Sequence, residues 1–258
     1  MFWRLRVLTF YALLAIFTIT FFLICYIPVT FFNVNYYIRY RIGFIFSHVF
    51  IWLVKIFCGL KYQVVGLDKL PSSPSIVLSN HQSCWEQIFV QLIIPEHSWV
   101  LKKELFNIPL FGWGLKMVKP IAVDRNANIS VGQILREGQE KIKSGLWLVI
   151  FPESTRFKPD QNAKFKPSAV KLASLAKVPI VMMAHNAGVY WPRGFWVKKP
   201  GIIQVKIIDV IPVEEIEQSD VRDLTEKIEQ VINTEKQILF EQTHKNKHDR
   251  SQIFKKVD

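Results

Sequence analysis

The chain has 258 residues, half of them hydrophobic, and a formal net charge of +12 at pH 7. This length allows one ordinary domain with a substantial core, or one domain with an appendage. The three cysteines are widely spaced in apolar contexts, which excludes a disulfide framework and a zinc site and fits a reduced, cytosolic environment. Apolar residues concentrate in the first 60 positions and basic residues in the remainder, so we expect an anionic surface as partner.

The N-terminal segment is predicted to enter a membrane. Val7 to Ile38 carries no charged residue, and Val7 to Ile27 is almost continuously apolar. About 20 such residues span a bilayer as a helix. The run is too long for a secretory signal, and no small-x-small cleavage site follows it. A second apolar stretch, Ile42 to Val54, is short for a free-standing span.

Arginines flank the first apolar run on both sides, with Arg4 and Arg6 before it and Arg39 and Arg41 after it. The positive-inside tendency holds both ends on the cytoplasmic face, which a single crossing cannot satisfy. We therefore predict that residues 1–60 anchor the chain as a helical hairpin that enters one leaflet and returns. A single span is the alternative.

Residues 61–242 have the pattern of an α/β domain, and residues 243–258 form a charged tail that is expected to fray from Gln242. Short apolar runs bounded by turn residues predict strands at Lys61 to Val65, Ser75 to Leu78, Trp99 to Leu101, Ile121 to Val123, Leu146 to Phe151, Val178 to Ala184 and Ile202 to Ile208. Helical apolar spacing predicts helices at Ile129 to Lys143, Ser168 to Ala176 and Ser219 to Phe240. This alternation predicts a mixed, largely parallel sheet flanked by helices.

The stretch Asn80 to Glu86 follows the second predicted strand and contains a histidine five positions before a carboxylate. Such a pair can act as a base and its orienting acid. In one continuous helix the two side chains would diverge by about 140°. They can meet only if His81 lies in the loop before a helix that begins near Ser83, a fair cap, with Glu86 in its first turn. A satisfied loop without catalysis is the alternative.

Polar motifs come directly after four predicted strands: His81, Asp124-Arg125, Glu153 to Arg156, and His185-Asn186. Loops at one edge of a parallel sheet converge on one cleft, so we expect these motifs to lie together.

Two arginines of these motifs, Arg125 and Arg156, have the planar forked donors that bind phosphate. Surface charge, or ion pairing with Asp124 or Glu153, is the alternative. His185 competes with His81 as a base, but it lacks a nearby carboxylate in the sequence, so we interpret it as lining or bracing the site. No metal-binding spacing is present, and no metal is expected.

The order and spacing of four motifs resemble the glycerolipid acyltransferase family that contains the 1-acylglycerol-3-phosphate O-acyltransferases. The motifs are Asn80 to Glu86, Lys119 to Arg125, Phe151 to Arg156, and Val178 to Asn186. The resemblance runs from Val65 to Pro192, and the His-Gln-Ser-x-Trp-Glu form is similar to a bacterial subgroup.

The resemblance implies a glycerophosphate-acyltransferase-like fold and an enzyme that moves a fatty acyl group onto the free hydroxyl of a lysolipid phosphate. The acyl donor is the thioester of acyl carrier protein or of coenzyme A, used as co-substrate, and no cofactor is implied. By motif position, the resemblance implies that His81 is the general base, and that Glu86 orients the imidazole and stabilises its positive charge.

The same resemblance implies that Arg125 and Arg156 hold the acceptor phosphate, with Lys102 as a further cation. A solvated surface lysine is the alternative for Lys102. Glu153 is implied to help shape the acceptor site.

The chain departs from the commonest family pattern at four positions. Glu86 replaces the more usual Asp but keeps the carboxylate. Ser154 and Lys119 stand where Gly is usual, so a positive φ angle at Ser154 would carry strain. Met182 stands where Pro is usual. These changes leave the reaction type intact but weaken the assignment of the acceptor.

The expected activity is that of a 1-acylglycerol-3-phosphate acyltransferase that makes phosphatidate for phospholipid biosynthesis at the cytoplasmic face of a bacterial inner membrane. Its partners would be membrane lipids, lysophosphatidate and acyl carrier protein or a coenzyme A thioester. An acyltransferase for another lysolipid and a non-catalytic, membrane-attached lipid-binding protein are the alternatives. Nucleic acid is not an expected partner, because no recognition motif is present and the anchor would be unexplained.

Overall fold

The computed structural model describes residues 2–32, 34–123, 130–194 and 196–255. The strands are β1 (Leu60–Val65), β2 (Ile76–Ser79), β3 (His97–Lys102), β4 (Ile121–Val123), β5 (Trp147–Ile150), β6 (Ile180–His185) and β7 (Gly201–Ile211). They form one sheet in the order β1-β7-β6-β2-β5-β3-β4. Neighbouring strands are parallel except β6 and β7, which confirms the mixed, largely parallel sheet.

The α-helices of the described residues are α1 (Phe2–Phe21), α2 (Ile27–Phe31), α3 (Tyr36–Phe57), α4 (Trp85–Phe89), α5 (Phe111–Met117), α6 (Ser130–Lys143), α7 (Ser168–Ala176), α8 (Ala187–Tyr190), α9 (Val213–Gln218) and α10 (Val221–Lys255). The helix predicted at Ser219 to Phe240 is α10, and the short helix α9 before it was not predicted. Helix α10 continues past Gln242, where the sequence predicts a frayed tail.

Each face of the sheet is covered by its own hydrophobic cluster, because successive residues of a strand point to opposite faces. On β2, Ile76 and Leu78 pack with residues of α6, α7 and α10. Val77 packs with residues of α1, α3 and α4 on the other face. Burial on both faces explains why the central strands read as continuous apolar runs.

The N-terminal helices form a hairpin. After α1 the helix continues through a π-helical turn, Phe22–Tyr26, into α2, and α3 then runs back. The Arg6 guanidinium donates to the carbonyl oxygens of Ile56 at 2.7 Å and Phe57 at 3.0 Å. It therefore satisfies carbonyls at the end of α3 that have no helical partner and joins the two ends of the hairpin.

Helix α3 is also fixed to the sheet domain. Its Tyr40 hydroxyl lies 2.9 Å from Nδ1 of His97, and its Ser47 hydroxyl donates to Oε1 of Gln91 at 2.7 Å. Phe50 and Val54 of the same helix are buried in the cluster on that face of the sheet. The hairpin is therefore packed onto the domain rather than connected to it by a free linker.

Two helical stretches of the hairpin are long and apolar enough to cross a membrane by length and composition, Phe2–Val29 with 28 residues and Tyr36–Phe57 with 22. The prediction that the second stretch is short was wrong, because Arg39, Arg41 and Lys55 lie inside α3 rather than at its ends. Large hydrophobic side chains remain exposed along both stretches: Phe2, Leu5, Leu8, Ile16, Ile19, Leu23, Ile24, Ile27, Tyr37, Ile38, Ile45, Trp52 and Ile56.

The five strands β2 to β6 all run in one direction, since each is parallel to its neighbour within this group. Their carboxyl ends therefore meet at one edge of the sheet. The loops that leave this edge include those that carry His81, Glu153 and Asn186.

Candidate active site

The centre of the site is a hydrogen bond between His81 and Glu86. The loop after β2 carries His81, and α4 begins at Trp85, so Glu86 lies in the first helical turn as the spacing predicts. Nδ1 of His81 lies 2.7 Å from Oε1 of Glu86, and both side chains are buried. Cys84 occupies the cap position expected for Ser83, whose hydroxyl instead accepts from the Trp85 amide at 3.2 Å.

The same oxygen of Glu86 also accepts from the backbone amides of Gln82 at 2.9 Å and Ser83 at 2.8 Å. Burial raises the pKa of Glu86, but the imidazoles of His185 and His81 and these hydrogen bonds outweigh it and lower that pKa below its usual value. An ionised Glu86 is an acceptor only, so Nδ1 of His81 carries the proton. Nε2 then has a free lone pair and can act as a base.

The loop after β5 encloses His81. The Phe151 ring stacks on the imidazole with centroids 4.4 Å apart and an interplanar angle of 23°. The Phe157 amide donates to the His81 carbonyl at 3.0 Å. The base is therefore held on one side by α4 and on another by this loop.

Glu153 lies in the loop after β5 and is buried. Burial raises its pKa to about 8, although a hydrogen bond from the His81 backbone amide and the charge of Lys236 act in the opposite direction. Glu153 therefore carries its proton at neutral pH and can donate a hydrogen bond, unlike the ionised Glu86. The two carboxyl groups beside His81 are thus in opposite protonation states.

The predicted cations are placed differently from one another. Arg156 is half-buried, and its guanidinium donates to Oε1 of Gln87, the residue that follows Glu86, at 3.2 Å. Lys102 stands at the carboxyl end of β3, exposed and paired with Glu104 at 3.0 Å, so the structure does not join it to His81. Arg125 lies outside the described residues.

The second histidine of the motifs, His185, is a brace, as its lack of a carboxylate partner predicts. Its Nδ1 accepts from the Ala187 amide at 3.3 Å, and its Nε2 lies 2.8 Å from the Asn80 carbonyl, to which it donates. Burial lowers its pKa, so the ring is neutral. Both ring nitrogens of His185 are therefore occupied, so this histidine is not available to take a proton from a substrate.

Two of the departures from the family pattern lie in the left-handed backbone region. Ser154 has a φ angle of 62° and Lys119 a φ angle of 45°. Glycine adopts such angles without strain, which explains why the family usually has glycine at these two positions. At each position, a side chain in this backbone conformation destabilises the fold by on the order of 1 kcal/mol. Met182 is buried in β6 and contributes to the core.

Sequence reasoning missed two residues that support the site. Gln87 holds Arg156, and Asn80 makes a pair of hydrogen bonds with the His185 backbone at 2.9 and 3.0 Å. Neither has a signal in the sequence, since each partner lies far along the chain. No three His, Cys, Asp or Glu side chains cluster as metal ligands within the described parts of the chain.

Taken together, this geometry can remove a proton from a hydroxyl group held near an anion-binding guanidinium. His81 supplies the base, Glu86 stabilises the imidazolium that forms, and Arg156 supplies fixed donors for a negatively charged group.

The domain is similar to known proteins. Residues 61–186 match the family model described as Acyltransferase. The chain is 44% identical over 158 residues to the 1-acyl-sn-glycerol-3-phosphate acyltransferase of Pseudomonas aeruginosa, an alignment that covers 61% of this chain and 62% of that protein. It is 29% identical over 200 residues to the Saccharomyces cerevisiae protein of the same name, covering 74% of this chain and 65% of that protein. The chain thus spans less than two thirds of the length of either relative.

One solved structure is similar in fold. The crystal structure of the 1-acyl-sn-glycerophosphate (LPA) acyltransferase PlsC from Thermotoga maritima matches with a TM-score of 0.74 at 22% identity, covering 92% of this chain and 95% of that chain. At this identity the likeness concerns the fold, and it confirms the predicted fold class.

We predict that the protonated state of Glu153 makes stability depend on pH. The folded chain holds this proton up to about pH 8, whereas an unfolded chain releases it near the ordinary value of 4.5. The folded state binds the extra proton, so the wild type loses stability as pH rises through this window. Glu153→Gln removes the titration, and its advantage over the wild type should grow by a few kcal/mol between about pH 5 and pH 8. Urea unfolding of both proteins in detergent measures this; parallel pH profiles would contradict the protonated state.

Proposed function

We propose, because residues 61–186 match the family model described as Acyltransferase, that the chain acylates the sn-2 hydroxyl of 1-acylglycerol 3-phosphate. The donor is acyl carrier protein or coenzyme A carrying a fatty acyl thioester, and the product, phosphatidate, enters phospholipid biosynthesis. The observation that carries the proposal is the hydrogen-bonded pair of His81 and Glu86, with Arg156 bound to Gln87, the residue that follows Glu86. The names of the relatives from Pseudomonas aeruginosa and Saccharomyces cerevisiae support this choice of acceptor.

The proposed reaction is a direct transfer without an acyl-enzyme. Nε2 of His81 takes the proton of the acceptor hydroxyl, and the oxygen attacks the thioester carbonyl. The tetrahedral intermediate then collapses as the carbon–sulfur bond breaks, and the departing thiolate receives the proton from the imidazolium. Glu86 stabilises the imidazolium at 2.7 Å throughout. Backbone amides of the loop after β5 are the proposed donors to the oxyanion.

The acceptor phosphate is proposed to bind Arg156, with Arg125 and Lys102 as further cations. Lys102 is exposed and paired with Glu104. Such a surface pair contributes only about 0–1 kcal/mol, so a phosphate can displace the carboxylate. Glu153, neutral at pH 7, adds no negative charge beside the phosphate and can donate a hydrogen bond to the acceptor.

We propose that the N-terminal hairpin lies in the cytoplasmic leaflet of a bacterial inner membrane and presents the cleft to a lysolipid. Exposed apolar side chains along α1 and α3 give the hairpin a lipid-facing surface. Helix α3 is packed on the sheet domain, which opposes insertion of α3 across the bilayer as a separate span. Arginines at both ends of the first apolar run support an arrangement with both ends on the same side.

We predict that acyl transfer depends on His81 and acceptor affinity on Arg156. In membranes with lysophosphatidate and both thioester donors, His81→Ala should lower kcat by about 10²–10⁴-fold. Arg156→Ala should instead raise the KM for lysophosphatidate by about tenfold to a hundredfold, because charge-assisted hydrogen bonds are lost. Arg193→Ala, at an exposed arginine in another loop, is the control and should change neither constant.

Three results of this assay would change the proposal. His81-dependent transfer to another lysolipid, but not to lysophosphatidate, would keep the mechanism and replace the acceptor. No transfer to any lysolipid by folded wild type would favour a non-catalytic lipid-binding protein. If His81→Ala and Arg156→Ala both raised KM equally and left kcat unchanged, His81 would not be the general base.

For the hairpin we predict that a tag at the N-terminus is open to protease only from the cytoplasmic side. Inside-out and right-side-out vesicles should therefore give cleavage and protection, respectively. A tag in the tail after α10 is the control, since it reports the cytoplasmic side in either arrangement. Cleavage of the N-terminal tag in right-side-out vesicles would establish a single crossing instead.

A further inference from the structure

Lys236 on α10 is a buried lysine that the proposed reaction does not use. Its side chain is only 2% exposed, and it lies outside the segment that matches the family model. Lysine is almost never fully buried without partners, because removing its charge from water is costly. Burial lowers its pKa, while Glu153 and Asp160 act in the opposite direction.

Three oxygen atoms surround the Lys236 ammonium. Nζ donates to the Gln161 carbonyl at 2.6 Å, to Oδ1 of Asn162 at 2.9 Å and to Oδ1 of Asn233 at 3.1 Å. All three donors of the ammonium are therefore used. Two of these acceptors belong to the loop that follows Arg156, and the third belongs to α10 itself.

A direct ion pair does not account for this burial. Among the residues that the structure describes, Lys236 forms no ion pair. An apolar side chain of similar length would fill the same space at less desolvation cost. What the lysine adds is the three directional hydrogen bonds, and two of them fix the loop.

This loop, residues 157–166, contains no regular secondary structure, so its position depends on individual hydrogen bonds. At its start the Phe157 amide donates to the His81 carbonyl at 3.0 Å. Near its end the Phe165 amide donates to Oε2 of Glu229 on α10 at 2.7 Å. Lys236 holds the middle, and Arg156 directly precedes the first attachment.

We propose that Lys236 is a positioning residue, which fixes the loop 157–166 against α10 and thereby holds Arg156 and Glu153 where the acceptor phosphate binds. This inference rests on the proposed function for the identity of the acceptor. The electrostatic coupling between Lys236 and Glu153 agrees with it, since the lysine charge acts directly on a group of the site.

The test compares Lys236→Met with Lys227→Met in the full-length protein. Met keeps most of the side-chain length but loses all three donors. Lys227 lies on the same helix, exposed, with its ammonium paired to Glu215, and serves as the matched control. Lys236→Arg is the conservative variant. It retains a charge and hydrogen-bond donors, so its loop exchange and KM should lie between those of the wild type and those of Lys236→Met.

Hydrogen exchange provides the first readout. In Lys236→Met, amides of residues 157–166 should exchange about tenfold faster, while those of β2 and α4 keep wild-type protection. The KM for lysophosphatidate should rise about tenfold with kcat within about twofold, because the His81–Glu86 pair is held by its own local contacts. Acceptor binding should weaken at alkaline pH as Glu153 loses its proton. The lysine charge lowers the pKa of Glu153, so in Lys236→Met this weakening should occur at higher pH.

Unchanged exchange in the loop would overturn the proposal, and so would faster exchange with an unchanged KM. If Lys236→Met does not fold, Asn162→Ala decides, because it removes one exposed acceptor and leaves the lysine with two. Asn162→Ala should give the same changes in loop exchange and in KM, but smaller ones. Exchange rates and a KM equal to those of the wild type would overturn the proposal. If the wild type itself does not acylate lysophosphatidate, the acceptor assignment fails, and the exchange data alone decide whether Lys236 fixes the loop.

Discussion

A single carboxylate oxygen determines the geometry of the site. Oε1 of Glu86 accepts hydrogen bonds from Nδ1 of His81 and from the backbone amides of Gln82 and Ser83, all within 2.9 Å. Burying a carboxylate is unfavourable unless several donors surround it. These three donors surround Oε1, while Oε2 is buried and finds no hydrogen-bond partner among the described residues. The same donors also fix the path of the chain between β2 and α4. The orientation of the base and the start of the helix therefore have the same cause.

The sheet connects this site to the membrane surface proposed for the hairpin. One face of the sheet is covered by α6, α7 and α10, and the other by α1, α3 and α4. Helix α3 consequently has two environments, with Phe50 and Val54 buried and Trp52 and Ile56 exposed. A rigid attachment of this kind holds the cleft at a fixed distance from the exposed apolar surface, which suits the lysolipid acceptor that we propose.

Much of this arrangement could be predicted from the sequence because it depends on local rules. Short apolar runs bounded by turn residues located the central strands. Parallel strands then bring His81 and Glu153 to one edge of the sheet. The five-residue spacing of His81 and Glu86 fixed both the loop and the helix start. In contrast, the support of Arg156 by Gln87, of His185 by Asn80 and of the loop by Lys236 depends on partners distant in the chain. No periodicity records such pairs, and the full length of α3 was missed because basic residues inside a helix look like its ends.

The most direct test of the central claim is the acyl-transfer kcat of Glu86→Gln beside that of Glu86→Asp. Gln preserves the shape of the side chain but not the charge that stabilises the His81 imidazolium, so kcat should fall by about 10²-fold or more with little change in KM. Asp keeps the charge and should retain a larger part of the rate. A Glu86→Gln enzyme with kcat within about twofold of the wild type would contradict the account, because the buried charge beside His81 would then have no part in catalysis.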